Sequence, residues 1–146
     1  MRDLPRQLSR EELSELFEGD TALVRRLAET DDPLTNARDV IAGLTEEEKL
    51  EALNAHPAIG QRKGLSARSA TEQGADADPE VLEELARLNA EYEQKFGFRF
   101  VVFVNRRPKA EILEVLRNRI NLTRREELDT AVGELVGIAK DRWQRS

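Results

Sequence analysis

A chain of 146 residues is long enough to bury one real core and short for two domains. Charged residues make up 36% and apolar residues 39%, and the net charge of −6 is spread over interspersed acids and bases; this argues against a disordered chain and offers no basic tail or stripe for nucleic acid. The lack of cysteine excludes disulfides and thiolate chemistry, and a single histidine, His56, excludes a multi-histidine metal site within one chain.

Helical signals run through the chain. Ser9 with Glu12 forms a capping-box pattern ahead of Leu13, Leu16 and Phe17. Asp20 is read as the cap of a second helix, Thr21 to about Glu29. Thr35-Asn36 precedes a short third helix that ends near Gly43. Thr45 with Glu48 opens a fourth, through Leu50 and Leu53, which must stop close to His56 because Pro57 disfavours helical geometry in the residue before it. Gly60 to Arg68 is polar, basic and glycine-containing and reads as a loop; Ser69 or Thr71 then caps a short turn.

Asp78-Pro79 is a cap followed by proline at the first helical position. The helix it opens carries Val81, Leu85, Leu88, Tyr92 and Phe96 at spacings of three and four, with Gly97 as the stop. Phe98 to Val104 has the composition of a strand, but a lone strand has no partner, so it is read as a buried extended segment in an all-α protein. Pro108 starts a helix with Ile112, Leu113, Leu116 and Ile120, and Thr123 with Glu126 caps the last, whose apolar face is Leu128, Val132, Leu135 and Ala139. The expected architecture is a single-domain, compact all-α bundle of about seven to eight helices over residues 1–146. No run is long and apolar enough for a transmembrane helix, the N-terminus lacks the apolar stretch of a signal peptide, and Asp141 to Ser146 is not a peroxisomal address; a cytoplasmic protein is expected, with no membrane or nucleic-acid partner.

Three places invite chemistry. His56 sits where a helix ends and a proline stiffens the exit; the plain alternative is a helix-terminal histidine that bonds a carbonyl. Ser69 to Gln73 is either an ordinary capping box closed by Glu72 or a short turn that aims Ser69, Glu72 and Gln73 at one ligand. Arg142 lies three residues after Ala139 and seven after Leu135, hence on the apolar face of the last helix. A buried arginine there needs an anionic partner or ligand; a frayed C-terminus that lets it reach water is the alternative, and Arg119 is a rival that flanks its own apolar face. A base-like residue, an acid, polar groups and an arginine suit a small anionic, hydrogen-bond-rich substrate. They do not suit peptide hydrolysis or nucleotide phosphates, since neither an activated nucleophile nor a glycine-rich phosphate loop is present.

The combination of His56-Pro57-Ala58-Ile59-Gly60, Ser69-Ala70-Thr71-Glu72-Gln73, the run Phe96 to Val104 and Ile138-Ala139-Lys140-Asp141-Arg142 resembles the 2-oxo-4-hydroxy-4-carboxy-5-ureidoimidazoline (OHCU) decarboxylase family. The family patterns are His-Pro, Ser-x-x-Glu-Gln, Phe-Gly-Phe-Pro-Phe and a late Ile-Ala-x-x-Arg, and order and approximate spacing match from the first helix to Arg142. Arg99 stands where the family pattern has proline, and Ala58-Ile59-Gly60 follows His-Pro where Asp-Leu-Ala or Glu-Leu-Gly is more familiar.

The resemblance implies an all-helical enzyme of urate breakdown that yields (S)-allantoin, needs no cofactor or metal, and is often a homodimer. It implies catalytic roles for His56 as proton donor, Glu72 as its partner and Arg142 as holder of the substrate's anionic or carbonyl oxygens. Pro57 would shape the pocket wall; Ser69, Ala70, Thr71 and Gln73 would line the substrate; Phe100, Val101, Val102, Phe103 and Val104 would bind it through backbone groups. The alternatives are a helical binding module that keeps the fold without turnover and a decarboxylase for a related ureido acid.

Overall fold

The computed structural model describes residues 3–56 and 78–145. Its chain falls into two compact units, Met1–His56 with Val132–Ser146, and Pro57–Ala131. Among the described residues there are seven α-helices and no strand, in keeping with the expected all-α class.

In the first unit, α1 (Arg10–Leu16) begins at the predicted capping box. Ser9 Oγ accepts from the Glu12 amide at 3.1 Å, and the Ser9 amide donates back to Glu12 Oε1 at 3.0 Å. α2 (Ala22–Ala28) starts at Thr21, whose hydroxyl accepts from the Val24 amide, and not at Asp20. The physical reason is competition: the Asp20 carboxylate takes the Arg10 Nε–H at 2.7 Å, and the neighbouring Ala22 amide donates to Glu51 of α4 at 2.8 Å. α3 (Ala37–Ala42) is short, and α4 (Glu46–Asn54) starts at the Thr45–Glu48 box as predicted. α2 packs against α1, α3 and α4. Leu13, Phe17, Leu23, Leu27, Leu34 and Leu53 are buried here, each contributing roughly 1.5–3 kcal/mol of apolar transfer.

In the second unit, α5 (Pro79–Phe96) is capped by Asp78, whose carboxylate accepts from the Glu80 amide at 3.0 Å. It buries Leu85, Leu88, Tyr92 and Phe96 and ends at Gly97, whose φ of 80° is the left-handed geometry that glycine adopts without a Cβ penalty. α6 (Lys109–Arg119) packs on α5; Pro108 is its cap, one residue earlier in role than the sequence reading placed it. Between them Phe98 to Val104 forms neither helix nor strand, and Phe98, Phe100, Val101, Val102 and Val104 are buried. Burial of successive residues explains the strand-like composition: both sides of the backbone face apolar surroundings. Tyr92 gathers the aromatic side chains, with Phe96, Phe98 and Phe100 at centroid distances of 4.7, 5.8 and 5.2 Å.

α7 (Arg124–Arg145) gives its first turns to the second unit and the rest to the first. Thr123 and Glu126 exchange the two capping hydrogen bonds, at 3.2 and 3.0 Å. Its buried line is Glu127, Ala131, Leu135, Ala139 and Arg142, rotated by about one residue at the start from the predicted face; Leu128 and Val132 are only half-buried. A glutamate displaces a leucine from the buried line because it meets an arginine and a tyrosine there. Among the described residues no helix is long and apolar enough to cross a membrane.

Candidate active site

The first unit holds two of the predicted catalytic residues. His56 follows the end of α4, its amide donating to the Leu53 carbonyl at 3.2 Å, and only 4% of the residue is exposed. Arg142 comes from the last turn of α7 and is 2% exposed. Its guanidinium donates to the carbonyls of Leu16 at 3.2 Å and Glu15 at 3.4 Å and pairs with Glu18 at 3.0 Å. These are carbonyls that the end of α1 cannot satisfy within the helix, and a cation is favoured there. The predicted need of a buried arginine for an anionic partner is met by Glu18.

The turn after α1 carries the anionic partner of Arg142 and passes near the end of α4. Glu18 adopts a left-handed φ of 64°, which reverses the chain, and Gly19 then lies against α4. A Cβ built on Gly19 would meet the Ala55 Cβ at 3.5 Å. Glu18 of this turn thus pairs with Arg142, and a side-chain carbon at the next position would sit at ordinary contact distance from Ala55, the neighbour of His56.

The second unit contains a buried polar cluster that the sequence reading missed. Glu127, fully buried, takes Oε1 hydrogen bonds from Arg119 Nε at 2.7 Å, from Arg119 Nη2 and from the Tyr92 hydroxyl. Arg119 Nη1 reaches the Val101 carbonyl at 2.8 Å, and the guanidinium lies 4.6 Å from the centre of the Phe100 ring. Burial raises the Tyr92 pKa, and the hydrogen bond to Glu127 raises it further, so the phenol keeps its proton and stays a donor. A signal was available: Glu127 lies four residues before Ala131 and eight before Leu135, and the sole tyrosine sits on the apolar stripe of α5.

Within the segment predicted to bind substrate, Phe100, Val101, Val102 and Val104 are buried and Phe103 is half-buried. Its Val101 carbonyl is held by Arg119, and its Phe103 and Val104 carbonyls by Arg107 at 2.7 and 3.1 Å. Arg99, in the place of the family proline, pairs with Glu93 at 3.6 Å. Pro57, Ser69, Ala70, Thr71, Glu72 and Gln73 lie outside the described residues. The structure thus brings His56 and Arg142 into one unit and the Phe100–Val104 segment into the other. Among the described residues no group of three or more histidine or carboxylate side chains is arranged to hold a metal ion.

The model of the OHCU decarboxylase family matches residues 2–144 of the chain. The 2-oxo-4-hydroxy-4-carboxy-5-ureidoimidazoline decarboxylase of Halalkalicoccus jeotgali is 32% identical over 105 residues, 69% of this chain and 60% of that protein. The decarboxylase of the same name from Haloferax volcanii is 29% identical over 80% of this chain and 71% of its own length. The uric acid degradation bifunctional protein of Arabidopsis thaliana is 34% identical over 66% of this chain and 32% of that protein. The chain therefore spans about three fifths of the first of these relatives and a third of the last. A crystal structure of OHCU decarboxylase in the presence of (S)-allantoin superposes with a TM-score of 0.75 at 27% identity, covering 90% of this chain and 94% of that one. On the match of the family model over nearly its whole length, the chain belongs to the OHCU decarboxylase family.

Proposed function

We propose that this chain decarboxylates OHCU to (S)-allantoin in urate breakdown, without a cofactor. What supports the reading, beside family membership, is the burial of His56 and Arg142 in one unit, where the Glu18 carboxylate pairs with the Arg142 guanidinium. In this reaction the bond between the ring carbon and the carboxylate breaks and CO2 leaves. The electron pair stays with the substrate, whose own imidazoline ring and carbonyl take it up, so the protein needs no separate electron sink. It must orient the carboxylate, stabilise charge on the ring and deliver a proton to one face. Arg142 serves the charge, and His56 delivers the proton and so sets the handedness of the product. In the same proposal Glu72 partners His56, Pro57 and Ser69 to Gln73 line the substrate, and Phe100 to Val104 contact it through backbone groups. A single domain over residues 1–146, a homodimer and a cytoplasmic location complete it; light scattering that finds one chain per particle removes the dimer.

The deciding experiment generates fresh OHCU from urate and follows (S)-allantoin by circular dichroism. The wild-type chain is expected to accelerate the appearance of one enantiomer, and His56→Ala to lose about 10²–10⁴-fold, the usual contribution of a positioned proton donor. Equal rates for a folded His56→Ala variant would remove His56 from the chemistry. A folded wild-type chain with no acceleration would point to the binding module instead.

A further inference from the structure

We propose that Arg119, Glu127 and Tyr92 are positioning residues that hold the Phe100–Val104 segment in the geometry that receives substrate; this rests on the decarboxylase reading above. Arg119 touches the segment twice, through the hydrogen bond to the Val101 carbonyl and through its position over the Phe100 ring. Arg107 holds the segment's far end at the Phe103 and Val104 carbonyls. Among the described residues the segment's carbonyls are held by the Arg119 and Arg107 side chains, with the Arg107 amide also donating to Val104 at 3.0 Å.

The cluster is an expensive way to fill a core. Glu127 is 0% and Arg119 7% exposed at the side chain, and burying such a pair costs several kcal/mol per ion before their attraction repays it. Apolar residues of similar volume often do as well for stability. What the polar cluster adds is direction. Arg119 Nε, Arg119 Nη2 and the Tyr92 hydroxyl all converge on one oxygen, Glu127 Oε1, which fixes the plane of the guanidinium. A fixed plane aims Nη1 at Val101. Glu127 Oε2 has no hydrogen-bond partner among the described residues, so the carboxylate is oriented through that one oxygen. A misplacement of about 1 Å in groups that position substrate costs up to about 10²-fold in kcat/KM, which is why a segment used through its backbone needs such a support.

Arg119→Lys tests this. A lysine keeps the charge near Glu127 but cannot also fork to Val101 and stack on Phe100. With the fold confirmed by circular dichroism, amide exchange at Val101 to Val104 is expected to speed up about tenfold relative to amides within α6. The KM for OHCU is expected to rise about tenfold with kcat within about threefold, and affinity for (S)-allantoin to fall in parallel. Tyr92→Phe, which removes the hydroxyl bond to Glu127 and keeps the ring against Phe100, is expected to move the same readouts by less, and it carries the test if Arg119→Lys does not fold. Unchanged exchange at Val101 to Val104 overturns the clamp. Faster exchange with unchanged KM and (S)-allantoin affinity overturns its role toward substrate. A wild-type chain that neither turns over OHCU nor binds (S)-allantoin overturns the substrate role together with the decarboxylase reading, while exchange still decides whether the three residues hold the segment.

Discussion

Arg142→Met separates the two tasks placed on Arg142. Methionine keeps an unbranched apolar stem, so the volume at the end of α7 is largely preserved and the loss is that of the guanidinium. Two carbonyls at the end of α1 then lose a donor, and Glu18 loses the cation at 3.0 Å while its side chain is only 13% exposed. Breaking a buried ion pair by removing one partner costs about 3–5 kcal/mol. Glu18 keeps some access to water, and the bond to Glu15 is long at 3.4 Å, so the lower end, about 3 kcal/mol, is expected. Urea unfolding followed by far-ultraviolet circular dichroism measures it. Adding Glu18→Gln removes the stranded charge and should return about 1–2 kcal/mol, the desolvation penalty of one such group. Turnover should not return with it, because the substrate oxygens still lack their cation. A single-variant loss under about 1 kcal/mol, or no recovery in the double variant, refutes the pairing argument. Restored turnover in the double variant would leave Arg142 a purely structural residue.

Two further outcomes follow from the second unit. Tyr92 is the sole tyrosine, so its titration can be read directly by near-ultraviolet absorbance. Its folded pKa is raised above the unfolded value of about 10, so its contribution is complete below about pH 10 and is lost as pH rises beyond it; tyrosinate absorbance should appear only with alkaline unfolding, and Tyr92→Phe should flatten the fall in stability above about pH 10. A phenol that titrates near pH 10 in the still-folded chain would contradict its burial against Glu127. Gly97→Ala should cost about 1–2 kcal/mol in thermal unfolding purely from the left-handed backbone, since an added Cβ meets no atom within 4 Å. No measurable loss would place the end of α5 in another conformation.

Helix starts were legible because capping is local chemistry. Ser9–Glu12, Thr45–Glu48 and Thr123–Glu126 each complete their box within three residues, and Asp78-Pro79 needs only one turn. The start of α2 was not, because Arg10, ten residues away, takes the Asp20 carboxylate and leaves the cap to Thr21. The face of α7 was misread by about one position for a similar reason. Periodicity ranks Leu128 above Glu127, but it carries no information about the Arg119 and Tyr92 side chains that make Glu127 the buried residue.

The same limit sorts the two arginines that the sequence left as rivals. Both lie on buried helix faces, and the pattern alone marks each as needing a partner. Arg119 meets Glu127 eight residues on and Val101 eighteen residues back, while Tyr92 reaches the same carboxylate from α5. Arg142 meets acceptors 126 and 127 residues away, which no local pattern reveals. The partners differ in kind as well as in distance. Glu127 is wholly out of water and shares its oxygen with a tyrosine, so displacing it would strand a buried carboxylate. Glu18 is 13% exposed and, among the described residues, the acceptors that Leu16 and Glu15 give Arg142 are neutral carbonyls, so an anionic substrate oxygen can compete for this guanidinium while Glu18 turns toward water. That asymmetry favours Arg142 for the proposed substrate contact and leaves Arg119 to hold the segment at Val101.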